Sequence, residues 1–343
     1  MLHIICGGFY MKRILSLIVA LVLVAGVAFI TSDKGVGRDN FITTLPQSTS
    51  GTENSPQINS STQLDTQQTS YPIKKTDMTV TGEKGGGTAS GYSPLMKITY
   101  IPTENTGYYS DEMKSHSHGP ASGGKAHHTV VDFQKDFEKF GAVTLDTVSE
   151  KKVLYLTFDC GYEHDNLTAR VLDTLKEKKV PAAFFCTLDH IKAEPELIAR
   201  MIKEGHIVGN HSATHPSFAD ISRSQMAKEI EETENYLRES FGYCARFFRF
   251  PKGEYTESSL DLVASLGYMS VFWSVAYDDW DTNKTHGKEY AVETVTSRLH
   301  DGAVILLHSV SRDNAEALGE IIDKARAEGY EFRSLTQLAE AVL

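Results

Sequence analysis

The stretch Val153-Leu-Tyr-Leu-Thr157-Phe-Asp159-Cys160-Gly161 is an apolar run that ends on a carboxylate and a thiol and is stopped by glycine. Such a run reads as a strand buried on both faces, which is the habit of parallel sheets. Short apolar runs recur near 181–187, 206–209, 246–250, 269–275, 303–307 and 331–335. Amphipathic stretches separate them. Leu167, Val171, Leu172 and Leu175 share one helical face, as do Leu197, Ile198, Met201 and Ile202. Ser222-Arg-Ser-Gln225 reads as a capping box for the long polar helix after it. Strand and helix in strict alternation predict an α/β fold with parallel strands. Seven such units between residues 151 and 343 suit a small, incomplete β/α barrel. A doubly wound open sheet is the alternative.

A barrel predicts where chemistry sits, because functional groups of such folds cluster at the carboxyl ends of the strands. Asp159 follows the first run, His211 the third and Arg249 the fourth. Asp279 and Trp280 follow the fifth, and His308 ends the sixth. Asp159 is a candidate general base, or a capping aspartate at a strand-to-helix turn. His211 and His215 stand four apart in Asn210-His211-Ser-Ala-Thr-His215-Pro216. Two neutral imidazoles and an anionic oxygen or sulfur, with one position left for water, make a metal–water site. Cys160 is either a thiolate ligand of that site or a small packing residue.

The blocks Thr157-Phe-Asp159-Cys160-Gly161, His211-Ser-x-x-His215-Pro216, Arg249-Phe-Pro251-Lys252-Gly253, Ala276-Tyr-Asp278-Asp279-Trp280 and Leu306-Leu307-His308 occur in that order. Together they resemble the polysaccharide deacetylase family, also called the NodB-homology or carbohydrate esterase family 4 hydrolases. The resemblance covers roughly residues 152–343 and implies a NodB-type incomplete barrel. It also implies a divalent metal, zinc in our reading, on His211, His215 and the position of Cys160. In the roles that it carries over, Asp159 is the base, oriented by Arg249, and His308 is the acid that protonates the leaving amine. Asp278 or Asp279 supports the site. The backbone N–H of Lys252 steadies the oxyanion, and Trp280 walls the sugar. Leu306 and Leu307 line an acetyl pocket. Three positions depart from the family pattern. Cys160 stands for an aspartate, Phe250 for a proline and Ala276 for an aspartate.

Thr157-Phe-Asp-Cys-Gly-Tyr162-Glu and His308-Ser-Val-Ser-Arg312-Asp-Asn-Ala-Glu-Ala-Leu318 resemble most the spore-cortex muramic acid deacetylases, which lead to muramic δ-lactam. The implied substrate is therefore N-acetylmuramic acid in peptidoglycan, met after an amidase has removed the stem peptide. Tyr162, Lys252 and Arg312 are candidate substrate contacts, the two cations facing the lactyl carboxylate. The alternatives are an N-acetylglucosamine deacetylase or an O-acetyl esterase. From another class comes a glycan-binding protein that keeps the fold without catalysis, which the three departures favour.

Of the 343 residues, 41% are hydrophobic, enough for a sizeable core. The net charge of −11 argues against a nucleic-acid partner, since phosphate binding needs a basic surface. Four cysteines are too few for a disulfide scaffold. Met11-Lys12-Arg13 precedes the uncharged apolar stretch Ile14–Ile30, so residues 1–30 read as a signal peptide or a membrane anchor, with Met11 as the expected start. Both imply an extracytoplasmic protein. Residues 31–93 are rich in Ser, Thr, Gln and Gly and read as a disordered tether. Residues 94–150 form a lead-in expected to pack on the catalytic domain of 151–343. Its apolar spacing from Val130 to Phe140 predicts a helix. Its histidines His116, His118, His127 and His128 read as a solvated loop rather than a metal cluster.

Overall fold

A computed structural model describes residues 108–149 and 152–342. The candidate export segment and the tether lie outside the described residues. In chain order the elements are β1 (Lys114–Ser115), α1 (His128–Glu138), β2 (Val153–Cys160), α2 (Leu167–Lys178), β3 (Ala182–Cys186), α3 (Leu188–Ala193), α4 (Pro195–Lys203) and β4 (Ile207–Asn210). Then come α5 (Arg223–Phe241), β5 (Phe247–Phe248), β6 (Glu254–Tyr255), α6 (Glu257–Ser265) and β7 (Met269–Ser270). The chain continues through α7 (Lys288–Thr296), β8 (Ala303–His308), α8 (Arg312–Ala327), β9 (Glu331–Phe332) and α9 (Leu335–Val342).

The main sheet is parallel and runs β7-β5-β4-β3-β2-β8, with β9 paired to the start of β2. Each of the seven apolar runs contains one of its strands. The sheet curls, and short bridges span its two edges. Val143 pairs with Val271, Leu145 with Ala303, and Val275 with Ile305. Gly302 permits that closure. It sits at φ +76°, and a Cβ there would lie 2.0 Å from the Asp146 carbonyl oxygen. The result is the incomplete β/α barrel of the NodB type.

Strand alternation sorts the side chains into two cores. Leu154, Leu156, Phe158 and Cys160 of β2 face outward to the helices, together with Ile305 and Leu307 of β8. Val153 and Tyr155 face inward with Phe185, Phe247, Val271 and Val304, and Leu335 and Leu338 of α9 join them. On α2 the buried residues include Leu167, Val171, Leu172 and Leu175, the face that the periodicity marks. The Ser222–Gln225 capping box opens α5, and Gly242 at φ +62° closes it.

The lead-in holds two of its histidines, His116 and His118, in place, while His128 at the start of α1 is exposed. His116 is buried, and its Nε2–H donates to the Trp273 carbonyl at 2.7 Å. The His118 Nε2–H donates to the Ala276 carbonyl at 3.0 Å, while its Nδ1 accepts from the Trp273 indole N–H at 3.2 Å. The α1 residue Phe137 stacks on Phe272 at 4.4 Å between ring centres. The reading of a solvated loop failed at His116 and His118 because their polar partners are backbone carbonyls more than 150 residues away. No local pattern announces such partners.

Candidate active site

Two pairs of groups meet at the carboxyl ends of β2 and β8. The first is Asp159 with Arg249. Arg249 directly follows β5, is fully buried, and donates from Nη1 to Asp159 Oδ1 at 2.8 Å. Its other N–H groups donate to backbone carbonyls, Nε to Val271 at 2.9 Å and Nη2 to Phe272 at 3.3 Å. These carbonyls hold the guanidinium although Ala276 offers no carboxylate. The Phe185 ring lies 4.2 Å from the guanidinium carbon. Burial alone would raise the Asp159 pKa. The charges of Arg249, His211 and His308 outweigh it and hold the carboxyl below its ordinary range.

His211 and His215 follow β4 in a loop with unusual backbone. Ser212 and His215 both have positive φ, at 69° and 61°. Hydrogen bonds stabilise that conformation. Asn210 Oδ1 accepts from Ser212 N at 2.9 Å, and Ser212 Oγ accepts from His215 N at 3.0 Å. Glu229 of α5 accepts from the backbone of Ala213 at 2.9 Å and of Thr214 at 2.7 Å. The imidazoles of His211 and His215 lie 4.9 Å apart, centre to centre. His211 Nδ1 is 2.8 Å from the Arg249 carbonyl, which only accepts, so this nitrogen carries the proton. The Nε2 lone pair is thereby free, 3.5 Å from Asp159 Oδ2. Burial lowers the pKa of both histidines, that of His215 to about 4 with His211 as the second cause.

This donor set fits a divalent metal. Both imidazoles are neutral, one has its tautomer fixed by a carbonyl, and a carboxylate stands beside it. Cys160 does not join them. It is fully buried on the opposite face of β2, with its sulfur 3.2 Å from Ser309 Oγ. Among the described residues its thiol groups with Cys186 and His190 instead. The structure thus places Cys160 with Cys186 and His190 rather than with the His211–His215 pair. Consecutive strand residues point to opposite faces, so Asp159 and Cys160 enter different environments.

The second pair is His308 with Asp279. His308 Nδ1–H donates to Asp279 Oδ1 at 2.7 Å, and the His308 backbone N–H donates to Asp279 Oδ2 at 2.9 Å. Asn314 of α8 donates from Nδ2 to the same carboxylate and to the His308 carbonyl. Tyr277 in turn donates its hydroxyl to Asn314 Oδ1 at 2.6 Å. Burial works against an imidazolium here, but Asp279 outweighs it and raises the His308 pKa. Of the two neighbouring acids it is Asp279 that takes this role, because Asp278 is exposed and paired with Lys284. Glu229 and Asn314 escape a reading of the sequence. Each acts from a helix, 15 residues from Thr214 and 35 from Asp279, and lies in none of the five blocks.

The remaining candidates divide. Trp280 is 60% and Tyr162 50% exposed, available to a ligand. Lys252 is exposed in the tight turn Pro251–Gly253 at φ +59°, near enough to His215 to depress its pKa. Arg312 opens α8 and pairs with Asp165 at 2.7 Å. Leu307 is fully buried in the outward core, whereas Leu306 lies on the face shared with His308. Phe250, in the place of a family proline, fills an aromatic cluster with Phe218, Phe248 and Phe272.

An ionised carboxylate beside two neutral imidazoles, with a carboxylate-bound imidazole on the next strand, defines a hydrolase site for water attacking a carbonyl carbon. Comparison with known proteins points the same way. Residues 146–271 match the family described as Polysaccharide deacetylase. The chain is 40% identical over 226 residues to the peptidoglycan-N-acetylmuramic acid deacetylase PdaA of Bacillus subtilis, covering 66% of this chain and 83% of that protein. The solved structure of Bacillus subtilis PdaA, a family 4 carbohydrate esterase, superposes with a TM-score of 0.63 at 37% identity, over 67% of this chain and 97% of that one. A family 4 carbohydrate esterase from Bacillus anthracis gives 0.56 at 36% identity, over 68% and 99%. The chain belongs to the polysaccharide deacetylase family.

Proposed function

We propose that this protein removes the acetyl group from N-acetylmuramic acid in peptidoglycan. The observation that carries the chemistry is the pairing of Asp159 with Arg249 and of His308 with Asp279 at one end of the barrel. Asp159, kept ionised by Arg249, accepts a proton from the attacking water. His308, kept protonated by Asp279, gives its Nε2 proton to the amide nitrogen as acetate departs. His211 and His215 would hold a divalent metal, zinc in our reading. Such an ion, when bound, acidifies water and polarises the acetamide carbonyl. The Lys252 backbone N–H would steady the developing oxyanion, the role that the family resemblance gives it.

The choice of muramic acid is supported by the similarity to the Bacillus subtilis peptidoglycan-N-acetylmuramic acid deacetylase. It also fits the chemistry of the substrate. Muramic acid differs from glucosamine by a lactyl ether, whose carboxylate is free once an amidase has removed the peptide. A protein of net charge −11 needs a local cation to take that carboxylate. Lys252 and Arg312 supply two, Arg312 by exchanging Asp165 for the ligand. The apolar stretch Ile14–Ile30 supports an extracytoplasmic enzyme, secreted or anchored, that works on the cell wall or spore cortex.

The test is incubation with purified, amidase-treated peptidoglycan, followed by acetate assay and mass spectrometry of the digested glycan. Deacetylated muramic acid and its δ-lactam are expected. Replacing Lys252 or Arg312 with Met should raise KM for this glycan more than for a chitin oligomer. Deacetylated glucosamine beside intact muramic acid would overturn the substrate. Absence of acetate release from every glycan would leave a binding protein.

A further inference from the structure

We infer that Cys160, Cys186 and His190 form a second cation site, separate from the His211–His215 pair, which takes one zinc ion in the wall between β2, β3 and α3. Cys160 and Cys186 end adjacent parallel strands and are Cα partners in the β2–β3 ladder. Both are fully buried, and His190 is 1% exposed. The two sulfurs and an imidazole nitrogen lie within 4.8 Å of one another. Zinc bonds of about 2.3 Å to sulfur and 2.0–2.1 Å to nitrogen place tetrahedral ligand atoms about 3.5–3.8 Å apart. Side-chain shifts of about 1 Å therefore close the set.

A second observation points to a ligand there. Both ring nitrogens of His190 are buried without a hydrogen-bond partner. A buried imidazole is rarely left so, and a bound cation resolves it. Nothing about the placement of His190 is loose. Thr187 caps α3, its Oγ1 accepting from the His190 backbone N–H at 3.3 Å. Thr187 also donates to the Gly161 carbonyl at 3.3 Å, which ties α3 to the end of β2.

The surroundings suit two thiolates and a divalent ion. Their charges cancel with His190 neutral, so the complex enters the core without net charge. Thr168 donates its hydroxyl to Ser309 Oγ at 3.0 Å, which directs the Ser309 proton to the Cys160 sulfur at 3.2 Å. That is the outer hydrogen bond expected to steady a thiolate ligand. Ser309 follows His308, and Cys160 follows Asp159. An ion here would clamp the ends of β2 and β3 directly behind the base and the acid.

The experiment uses the full chain, stripped of metal, kept reduced with a phosphine, and reloaded with Zn²⁺ alone or with Co²⁺ alone. Cobalt bound to thiolate shows a sulfur-to-metal charge-transfer absorption, which reads this site whether or not the histidine pair is loaded. We expect that band in the wild type, with roughly two zinc ions per chain, the three ligands Cys160, Cys186 and His190 with an open position being enough to hold the second. The band should persist in the double variant His211→Ala/His215→Ala and vanish in Cys186→Ser. Loss of the band in the histidine double variant would return Cys160 to the His211–His215 site and overturn the inference. So would a band that survives Cys186→Ser, or its absence from the reduced wild type. Should Cys186→Ser fail to fold, the histidine double variant still decides.

Discussion

Asp159 and His308 are Cα partners in the β2–β8 ladder, yet their partners drive them to opposite protonation states. Arg249 lowers the Asp159 pKa against the pull of burial, and Asp279 raises that of His308 against the same pull. A carboxylate without its proton and an imidazole with one therefore stand side by side before substrate arrives. Two titratable groups pushed apart by their surroundings are how one site performs both acid and base chemistry near neutral pH. The sheet makes them neighbours, and the loops after β5 and β7 make them different.

Asp279→Asn should move the alkaline limb of the kcat/KM profile to lower pH. His308 donates a proton only as imidazolium, so activity is present below its pKa and lost as pH rises through it. Removing the carboxylate lowers that pKa, and the loss begins earlier. The rate at neutral pH should fall by roughly 10²-fold or more, within the range of a positioned proton donor. An unmoved alkaline limb would show that His308 does not set it.

Arg249→Met should destabilise the protein by about 3 kcal/mol, because it strands Asp159 as an unpaired carboxylate at a nearly buried position. The double change Arg249→Met/Asp159→Asn should recover much of that loss without recovering activity. Denaturant melts of both variants check it. Equal destabilisation in the two would mean that packing, not charge, is what Arg249 supplies.

His211→Ala or His215→Ala should remove the metal held by the histidine pair, and activity with it, while the fold persists. Glu229→Gln is the subtler test. Glu229 touches neither imidazole but accepts three hydrogen bonds from the loop that carries them. Removing its charge should weaken metal affinity by roughly 10-fold, at the lower end for partners that orient ligands. Metal titration of the variant decides, and unchanged affinity would show that the loop holds its shape without Glu229.

Leu306→Ala and Leu307→Ala should separate cleanly. Leu307 is fully buried among the outward core, so its truncation should cost about 2–5 kcal/mol of stability and leave KM alone. Leu306, on the face of His308, should raise KM for the acetylated glycan when truncated. The reverse result would mean that β8 presents its other face to the site.

The barrel was legible in the sequence because its signal is local. Seven apolar runs alternate with amphipathic helices, and each run contains one strand of the main sheet. The carboxyl-end placement of Asp159, His211, Arg249, Asp279 and His308 follows from that order alone. Spacing could not say which of two adjacent residues meets its neighbours across the fold. Asp159 and Cys160 differ by one position and lie on opposite faces of β2, as Leu306 and Leu307 do on β8. The choice between Asp278 and Asp279 was settled by Asn314, 35 residues from Asp279, and the burial of His116 by the carbonyl of Trp273. Periodicity along a chain is set by backbone geometry, which each segment carries in itself. Charge partners, tautomers and facing are set by groups distant in sequence, and only the closed barrel brings those together.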